Sequence, residues 1–262
     1  MASEKPTIVI IHGAWHTPSS YLKLTKALQS AGYEVHVPEM PSMNGARPPD
    51  SNLDKDTTFI RTFVEDLINK GHVITALMHS YGGQVGSNSL SGLGMISRAK
   101  KGIPGGVSSL IYMCAFALSE ECSMMSIVEE FGQTDRVGMA IDTAEDGTSV
   151  HRYPRERIIG EGVIDEAEAQ EYLSTLKRWN GNIMYEKIHR CAWKEIPTCY
   201  IHTTKDVIVP YAFQKIMVDR MQKTGLCQVR TVEVEASHAP NLTATAAVMD
   251  AIDQFTGKQV ES

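Results

Sequence analysis

Cysteine is scarce in this chain of 262 residues, and its placement excludes two kinds of site. The five cysteines are Cys114, Cys122, Cys191, Cys199 and Cys227, and no two of them have the C-x-x-C spacing of a zinc or redox site. An odd and scattered set does not form a disulfide framework either. We therefore expect reduced thiols that pack as small apolar side chains, and no metal site.

Long apolar runs and basic stripes are also missing. No run reaches the roughly 18 residues of a membrane span, and a net charge of -6 without a basic cluster disfavours nucleic acid. The apolar run at residues 7–11 ends at His12 and Gly13, too soon for the core of a secretory signal. We therefore expect a cytoplasmic protein that binds a small molecule, not a nucleic acid or a membrane.

Short apolar runs alternate with helical patterns along most of the chain. The predicted strands are residues 7–11, 34–38, 72–78, 108–114, 198–202 and 229–235, and the predicted helices are residues 21–31, 57–69, 212–223, 243–255 and a helix after Gly82. This alternation is typical of a mostly parallel sheet with helices on its faces. The sequence therefore predicts an α/β fold.

Residues 116–196 interrupt this alternation. They contain polar, methionine-bearing helical patterns at residues 124–131 and 165–177, with a loop-like stretch at 142–153 between them. About 80 residues without core strands are too many for a loop. The sequence predicts a core of residues 1–115 and 197–262 and an inserted helical lid of residues 116–196, which would cover the end of the sheet near Ser80.

One serine lies between an apolar strand and the start of a helix. The segment Met78-His79-Ser80-Tyr81-Gly82 is close to the nucleophile elbow G-x-S-x-G, with Met78 in place of the first glycine. A neutral hydroxyl is a poor nucleophile, so it needs a base and a third group that orients this base. Ser80 is therefore a candidate nucleophile if such partners exist.

Two later residues are candidates for those partners. Asp206 follows the predicted strand 198–202, and His238 follows the predicted strand 229–235. Active-site groups of open α/β sheets collect at the carboxyl ends of the strands. Taken singly, Asp206 could be a turn or cap residue and His238 a core or surface residue. Their order after Ser80 predicts a Ser-His-Asp triad that requires no metal and no organic cofactor.

The first predicted strand leads directly into an H-G-A turn at residues 12–14. We expect the backbone N–H groups of Ala14 and Tyr81 to form an oxyanion hole. The alternative is an ordinary turn at the end of a strand. Trp15 and His16 follow in the same turn and are candidate substrate contacts. We expect His12 and His16 to shape the turn and not to act as bases.

These motifs resemble the α/β-hydrolase superfamily and, within it, the group of plant methylesterases and hydroxynitrile lyases with its microbial relatives. The resemblance rests on I-H-G-A-W-H at residues 11–16, M-H-S-Y-G-G at 78–83, T-T-K-D followed by I-V-P within 203–210, and S-H-A-P at 237–240. It covers residues 6–115 and 197–255. It implies an α/β-hydrolase fold with an inserted lid, and a homodimer is a further expectation for this group.

Two positions separate esterases from lyases within this group. Hydroxynitrile lyases resemble the esterases but carry a threonine after the first-strand histidine and a lysine beside the catalytic histidine. Gly13 and Ala239 stand at these places here. The resemblance therefore implies a carboxylesterase-like hydrolase. A thioesterase, a lactonase, a C–C bond hydrolase, or a ligand receptor on a hydrolase scaffold remain open as alternatives.

Apolar side chains of the predicted lid allow two interpretations. Met124, Met125, Trp179 and Tyr185 could form an apolar ceiling over a small or medium, partly apolar substrate. Apolar residues at helical spacing more commonly fill a core, which here would be the lid's own. The sequence leaves both open.

Overall fold

A computed structural model describes residues 5–162 and 165–257, and these residues form helices around a central sheet. The strands are β1 (Thr7–Ile11), β2 (Val35–His36), β3 (Val73–His79), β4 (Gly106–Met113), β5 (Ile141–Thr143), β6 (Thr148–His151), β7 (Trp179–Asn180), β8 (Thr198–Thr203) and β9 (Val229–Val234). The ends of the predicted core, residues 1–4 and 258–262, and residues 163–164 of the predicted lid lie outside the described residues.

Helices precede or follow most of the strands. They are α1 (Leu22–Ser30), α2 (Leu53–Asn69), α3 (Tyr81–Ser89), α4 (Met95–Ala99), α5 (Met124–Glu130), α6 (Thr134–Ala140), α7 (Glu166–Ser174), α8 (Tyr211–Lys223), α9 (Pro240–Thr243) and α10 (Thr245–Gly257). Among the described residues, no helix has the length and apolar character needed to cross a membrane.

The central sheet has six strands in the order β2-β1-β3-β4-β8-β9, and every neighbouring pair is parallel. Both faces are covered. On β1, Ile8 and Ile10 pack into one hydrophobic cluster, whereas Val9 and Ile11 pack into the other. Side chains alternate between the two faces of a strand, so a run of consecutive apolar residues fits a strand buried on both faces. The predicted parallel sheet is therefore confirmed.

The prediction of a loop at residues 142–153 is wrong. Strands β5 and β6 pair as an antiparallel hairpin, and β6 also pairs with β7. The turn between β5 and β6 contains Asp146 and Gly147, and Gly147 has φ +84. An Asp-Gly pair is a known hairpin signal, but the flanking residues lack the alternation of apolar and polar side chains that identifies a strand.

Two predicted elements differ in length from those observed. The strand predicted at residues 34–38 is reduced to Val35–His36, at the edge of the sheet. Helix α2 begins at Leu53, before the predicted start at residue 57, because the Asn52 side chain accepts a hydrogen bond of 3.0 Å from the Lys55 N–H. Such an N-cap satisfies one of the free N–H groups of the first turn.

Residues 116–196, which connect β4 to β8, are attached to the turn that follows β1. The Trp15 indole Nε1–H donates to the Ser149 carbonyl oxygen at 3.1 Å. The Lys177 N–H donates to the Trp15 carbonyl oxygen at 2.8 Å. This segment contains α5, α6, α7 and the three-stranded sheet, so it is mixed rather than purely helical.

Two buried histidines fix the same turn. His12 Nδ1–H donates to the Gly13 carbonyl oxygen at 3.0 Å, and His12 Nε2 accepts the Met40 N–H at 3.1 Å. His16 Nδ1–H donates to the Ala14 carbonyl oxygen at 2.7 Å, and its Nε2 lies 2.8 Å from a tyrosine hydroxyl of α7. Burial lowers the pKa of His12 to about 4 and that of His16 to about 3, so both rings are neutral near pH 7.

Helix α3 lies very close to β1 and β3 because glycines face both strands. A β-carbon at Gly82 would overlap with the Ile11 carbonyl oxygen. A β-carbon at Gly86 would overlap with the Met78 sulfur and lie 2.9 Å from Met78 Cγ. The fully buried Met78 side chain therefore occupies the space that a side chain at Gly86 would need. This packing accommodates methionine at the first elbow position.

The contact between Met78 and Gly86 predicts an energetic coupling. Gly86→Ala should lower the free energy of unfolding by about 1–3 kcal/mol through overpacking, although alanine favours a helix by up to about 1 kcal/mol. In a Met78→Ala background the same change should cost at least about 1 kcal/mol less, because the overlap is gone. Urea unfolding of the four proteins in this cycle measures the coupling, and additive effects would contradict it.

The buried histidines predict a loss of stability in mild acid. The folded-state pKa of His12 and His16 lies below the ordinary 6.5, so the unfolded chain takes up protons first as the pH falls. The free energy of unfolding should drop by about 1 kcal/mol for each histidine between about pH 7.5 and about pH 5.5. Denaturant unfolding at both pH values checks this. His16→Phe should weaken the dependence on pH, whereas His189→Gln, at an exposed position, should leave it unchanged.

Candidate active site

Ser80 lies at the junction of β3 and α3 in a backbone conformation that is rare for a residue with a side chain. Its φ is 54 and its ψ is -119. The Ser80 carbonyl oxygen accepts the N–H groups of Gly83 at 3.0 Å and Phe116 at 3.1 Å, which hold the turn. Such positive-φ residues cost free energy and persist where the surrounding structure enforces them. The hydroxyl is thereby presented at the carboxyl end of the sheet.

His238 connects Ser80 to Asp206. Its Nε2 lies 2.9 Å from Ser80 Oγ, and its Nδ1 lies 2.7 Å from Asp206 Oδ2. A carboxylate only accepts hydrogen bonds, so Nδ1 carries the proton that is donated to Asp206. Nε2 is then free to accept the Ser80 proton. All three side chains are buried, and the structure brings them together in the arrangement that the sequence predicts.

The Asp206 carboxylate is held by its own loop. Oδ1 accepts the N–H groups of Ile208 at 2.8 Å and Val209 at 2.9 Å. Oδ2 accepts the Thr203 hydroxyl at 3.0 Å in addition to the histidine. These donors fix the orientation of the carboxylate. Asp206 can therefore hold the His238 ring in one tautomer.

The two N–H groups predicted for an oxyanion hole belong to residues near Ser80, since Tyr81 follows it in sequence and Ala14 follows Gly13, which packs against it. Within the described part of the chain, neither the Ala14 nor the Tyr81 N–H has a hydrogen-bond acceptor. Tyr81 begins α3, where the N-terminal N–H groups and the helix dipole favour negative charge. The turn with Ala14 is close by, since a β-carbon at Gly13 would lie 3.2 Å from Ser80 Cβ. Both donors are thus available beside the serine.

A buried hydrogen-bond chain joins the turn at residues 12–14 to the backbone of His238. The Gly13 N–H donates to the Tyr21 hydroxyl at 2.9 Å, and this hydroxyl lies 2.6 Å from His79 Nδ1. His79 Nε2 lies 2.7 Å from the His238 carbonyl oxygen and must donate to it. Burial lowers the pKa of His79 well below its ordinary value, so Nδ1 accepts the Tyr21 proton.

Sequence reasoning missed Tyr21 and His79, the two side chains of this hydrogen-bond chain. His79 is visible inside the elbow motif, but its partner Tyr21 is 58 residues away in sequence. No spacing rule connects the two positions. The fold brings them together because the turn after β1 and the end of β3 lie side by side.

A cavity of about 70 Å³ lies beside the loop of Asp206 and takes one wall from residues 116–196. Its lining residues are Trp15, Val128, Gln133, Arg136, Val137, Ala140, Ile141, His151, Arg157, Val207, Ile208, Pro210 and Phe213. Trp15, which the sequence predicts as a substrate contact, also lines the cavity. His151 and Arg157 were not predicted, because neither lies in a recognisable motif.

The other predicted substrate contacts do not line this cavity. His16 is buried behind the turn, and Met124, Met125 and Trp179 are buried in the hydrophobic core. Tyr185 is exposed, at 58% of its surface. Three of the four apolar side chains are thus core residues, but their core is shared with the central sheet and is not the lid's own. Their contact with a substrate stays a prediction.

Three potential metal ligands approach one another next to the triad. Ligand atoms of His79, Cys114 and His238 all lie within 4.8 Å of one another. The ring nitrogens of both histidines already have hydrogen-bond partners. Burial also raises the pKa of the Cys114 thiol well above its ordinary value, which disfavours the thiolate that binds metals. This cluster therefore does not have the character of a metal site.

Curated relatives match nearly the whole chain. An alpha/beta hydrolase of Aspergillus novofumigatus is 27% identical over 98% of this chain and 99% of its own length. A pyrethroid hydrolase of Sphingobium wenxiniae is 26% identical over 97% of this chain and 89% of its own length.

Solved structures share the fold. A pyrethroid hydrolase superposes with a TM-score of 0.76 and 20% identity over 98% of this chain and all of its own. A methylesterase from Arabidopsis superposes with a TM-score of 0.66 and 16% identity over 95% of this chain and 99% of its own. The predicted resemblance to plant methylesterases and microbial relatives is thereby confirmed. The model of the alpha/beta hydrolase family matches residues 8–251. The protein is therefore a hydrolase, and the chain belongs to the alpha/beta hydrolase family.

Proposed function

We propose that the protein hydrolyses a carboxylic ester with Ser80 as the nucleophile. The observation that carries this proposal is the buried chain from Ser80 Oγ through both ring nitrogens of His238 to Asp206, with distances of 2.9 Å and 2.7 Å. These distances are within the range for direct proton transfer between heavy atoms. The positive φ of Ser80 and the two free N–H groups beside it support the same role.

The geometry supports a two-step acyl transfer. His238 Nε2 takes the Ser80 proton as Oγ attacks the ester carbonyl carbon, and the Ala14 and Tyr81 N–H groups bind the oxyanion that forms. His238 then protonates the leaving alcohol as the C–O bond breaks. In the second step His238 takes a proton from the water that attacks the acyl-enzyme, and returns it to Ser80 Oγ as the acyl C–O bond breaks and the acid is released. Asp206 stabilises the imidazolium in both steps.

The relatives support an ester among the acyl substrates. One curated relative and one solved structure are pyrethroid hydrolases, and another solved structure is a methylesterase. Gly13 and Ala239 also differ from the residues of the lyases in the group. We extend ester hydrolysis to this chain on the basis of its own triad geometry.

Residues 116–196 are proposed to act as a lid over this site. They supply one wall of the cavity beside Asp206, and their hairpin is bonded to Trp15. The cavity is far smaller than the roughly 300 Å³ or more of most ligand pockets. We therefore propose a small, partly apolar acyl or alcohol group as its occupant, from a small-molecule partner.

Replacement of Ser80 tests the proposed nucleophile. Ser80→Ala should lower kcat on para-nitrophenyl esters on the order of 10⁴-fold or more, because the attacking oxygen is absent. A fluorophosphonate should label the native protein at Ser80 but not the variant. The Ser174→Ala variant, changed at an exposed serine, serves as the control and should keep full activity.

Near-normal turnover by Ser80→Ala would refute the mechanism. Tight ligand binding without turnover by the native protein would favour a receptor. Thioesters and lactones in the same assay identify the acyl class.

Replacement of Tyr21 tests the hydrogen-bond chain behind the triad. Tyr21→Phe leaves the Gly13 N–H without an acceptor and His79 without a donor. We expect kcat to fall about 10- to 100-fold, because small displacements of reacting groups are costly, while KM changes little. Tyr33→Phe is the matched control, since the Tyr33 hydroxyl bonds to Asp253 and Thr256, and none of these three residues lines the cavity. An unchanged kcat in folded Tyr21→Phe would show that the chain only stabilises the fold.

A further inference from the structure

An arginine without a partner lies on the wall of the cavity beside Asp206. Within residues 5–162 and 165–257, the Arg157 guanidinium has no ion-pair partner and no hydrogen-bond acceptor, and its Nε is buried. Arg155, two residues earlier, is paired with Glu166 and also donates to the Gly160 carbonyl oxygen. A guanidinium in a partly buried place is normally satisfied by an anion or by several acceptors. Arg157 is therefore available to a ligand.

A second polar group without a partner lines the same cavity. His151 on β6 is 9% exposed, and its buried Nδ1 has no hydrogen-bond partner. Its ring packs edge-on against Trp15 with centroids 5.7 Å apart. Burial, and then the charge of Arg157, lower the pKa of His151 to about 4, so the ring is neutral near pH 7. Arg157 thus supplies a positive charge to the cavity, and the neutral His151 ring supplies a nitrogen that can form a hydrogen bond.

The rest of the lining is largely apolar. Val128, Ile141 and Phe213 are among the side chains that complete the wall. A site with one cationic end and apolar walls suits a ligand that has an anionic end and an apolar body. Buried polar atoms without partners cost free energy, so a ligand that pairs with them gains selectivity over one that does not.

The backbone of Arg157 is hydrogen-bonded to the residue that precedes His238. The Ser237 hydroxyl donates to the Arg157 carbonyl oxygen at 3.3 Å, and Ser237 directly precedes His238. Ile208, which also lines the cavity, donates its N–H to Asp206. A ligand anchored at Arg157 therefore lies close to the elements that carry the proposed catalytic groups.

We propose that this cavity selects esters that carry a free carboxylate in addition to the ester, such as half-esters of short dicarboxylic acids. Arg157 binds the carboxylate, and His151 adds a hydrogen bond beside it. The planar guanidinium fork matches a carboxylate with two parallel N–H···O bonds, which gives both strength and orientation. This inference rests on the proposed ester hydrolysis and adds the substrate class.

A matched pair of substrates tests the selection. One series consists of para-nitrophenyl half-esters of dicarboxylic acids of increasing chain length, and the other of para-nitrophenyl esters of the same length that end in a methyl group. The native protein should prefer the half-ester at one chain length. Arg157→Met should lower kcat/KM for that half-ester by about 10- to 100-fold, as expected for a lost charge-assisted hydrogen bond, and leave the methyl-ended ester little changed. Arg190→Met removes an exposed charge from the same segment and should affect neither.

The outcomes separate this proposal from the proposed hydrolysis. If the native protein hydrolyses both series equally well and Arg157→Met has no selective effect, the carboxylate site is overturned while ester hydrolysis stands. If neither series is hydrolysed, the proposed function fails, and calorimetry of Ser80→Ala with the half-amide of the same dicarboxylic acid decides the site. Binding that Arg157→Met abolishes supports the site, and equal binding overturns it. If Arg157→Met does not fold, Arg157→Lys and His151→Phe give the same comparison. Each should lower kcat/KM for the half-ester selectively, but by less than Arg157→Met.

Discussion

The left-handed backbone at Ser80 is the constraint on which the site depends. A residue with a side chain adopts φ 54 only when its neighbours enforce it, and here they do so through close packing of α3 on β1 and β3. Glycines at 82 and 86 allow that approach, and Met78 fills the space left by Gly86. The same turn aims the Ser80 hydroxyl at His238 and places the Tyr81 N–H at the start of a helix. One strained residue therefore sets the positions of the proposed nucleophile and of one proposed oxyanion donor.

Parallel pairing of β8 with β9 brings the proposed acid and the proposed base from two separate loops to one place. Asp206 and His238 follow these two strands and meet at a distance of 2.7 Å. The acid is fixed by donors from its own loop, whereas the base is fixed through its backbone by His79. The contact with His79 extends through Tyr21 to the Gly13 N–H. The proposed nucleophile, the proposed base and the turn at residues 12–14 are thus connected by hydrogen bonds.

Desolvation gives the histidines near the site different roles. Burial keeps His12, His16 and His79 neutral, so each ring can donate through one nitrogen and accept through the other. Each of them uses both nitrogens for structural hydrogen bonds. His151 is also neutral, but its buried Nδ1 is unused, and it faces the cavity with Arg157. All four histidines are neutral, so their protonation state does not distinguish their roles. The presence or absence of hydrogen-bond partners at the ring nitrogens does.

The sequence by itself determined the fold class and the candidate triad, because both are carried by local patterns. Consecutive apolar residues indicated buried strands, and Ser80, Asp206 and His238 each follow a strand in the order typical of the family. Only the tertiary structure decided the rest. The hairpin at β5 and β6 depends on pairing with β7, and the contacts of Tyr21 with His79 and of Arg157 with the cavity join distant segments. Such contacts leave no periodic pattern in the sequence, since each is made by a single side chain and not by a run of residues.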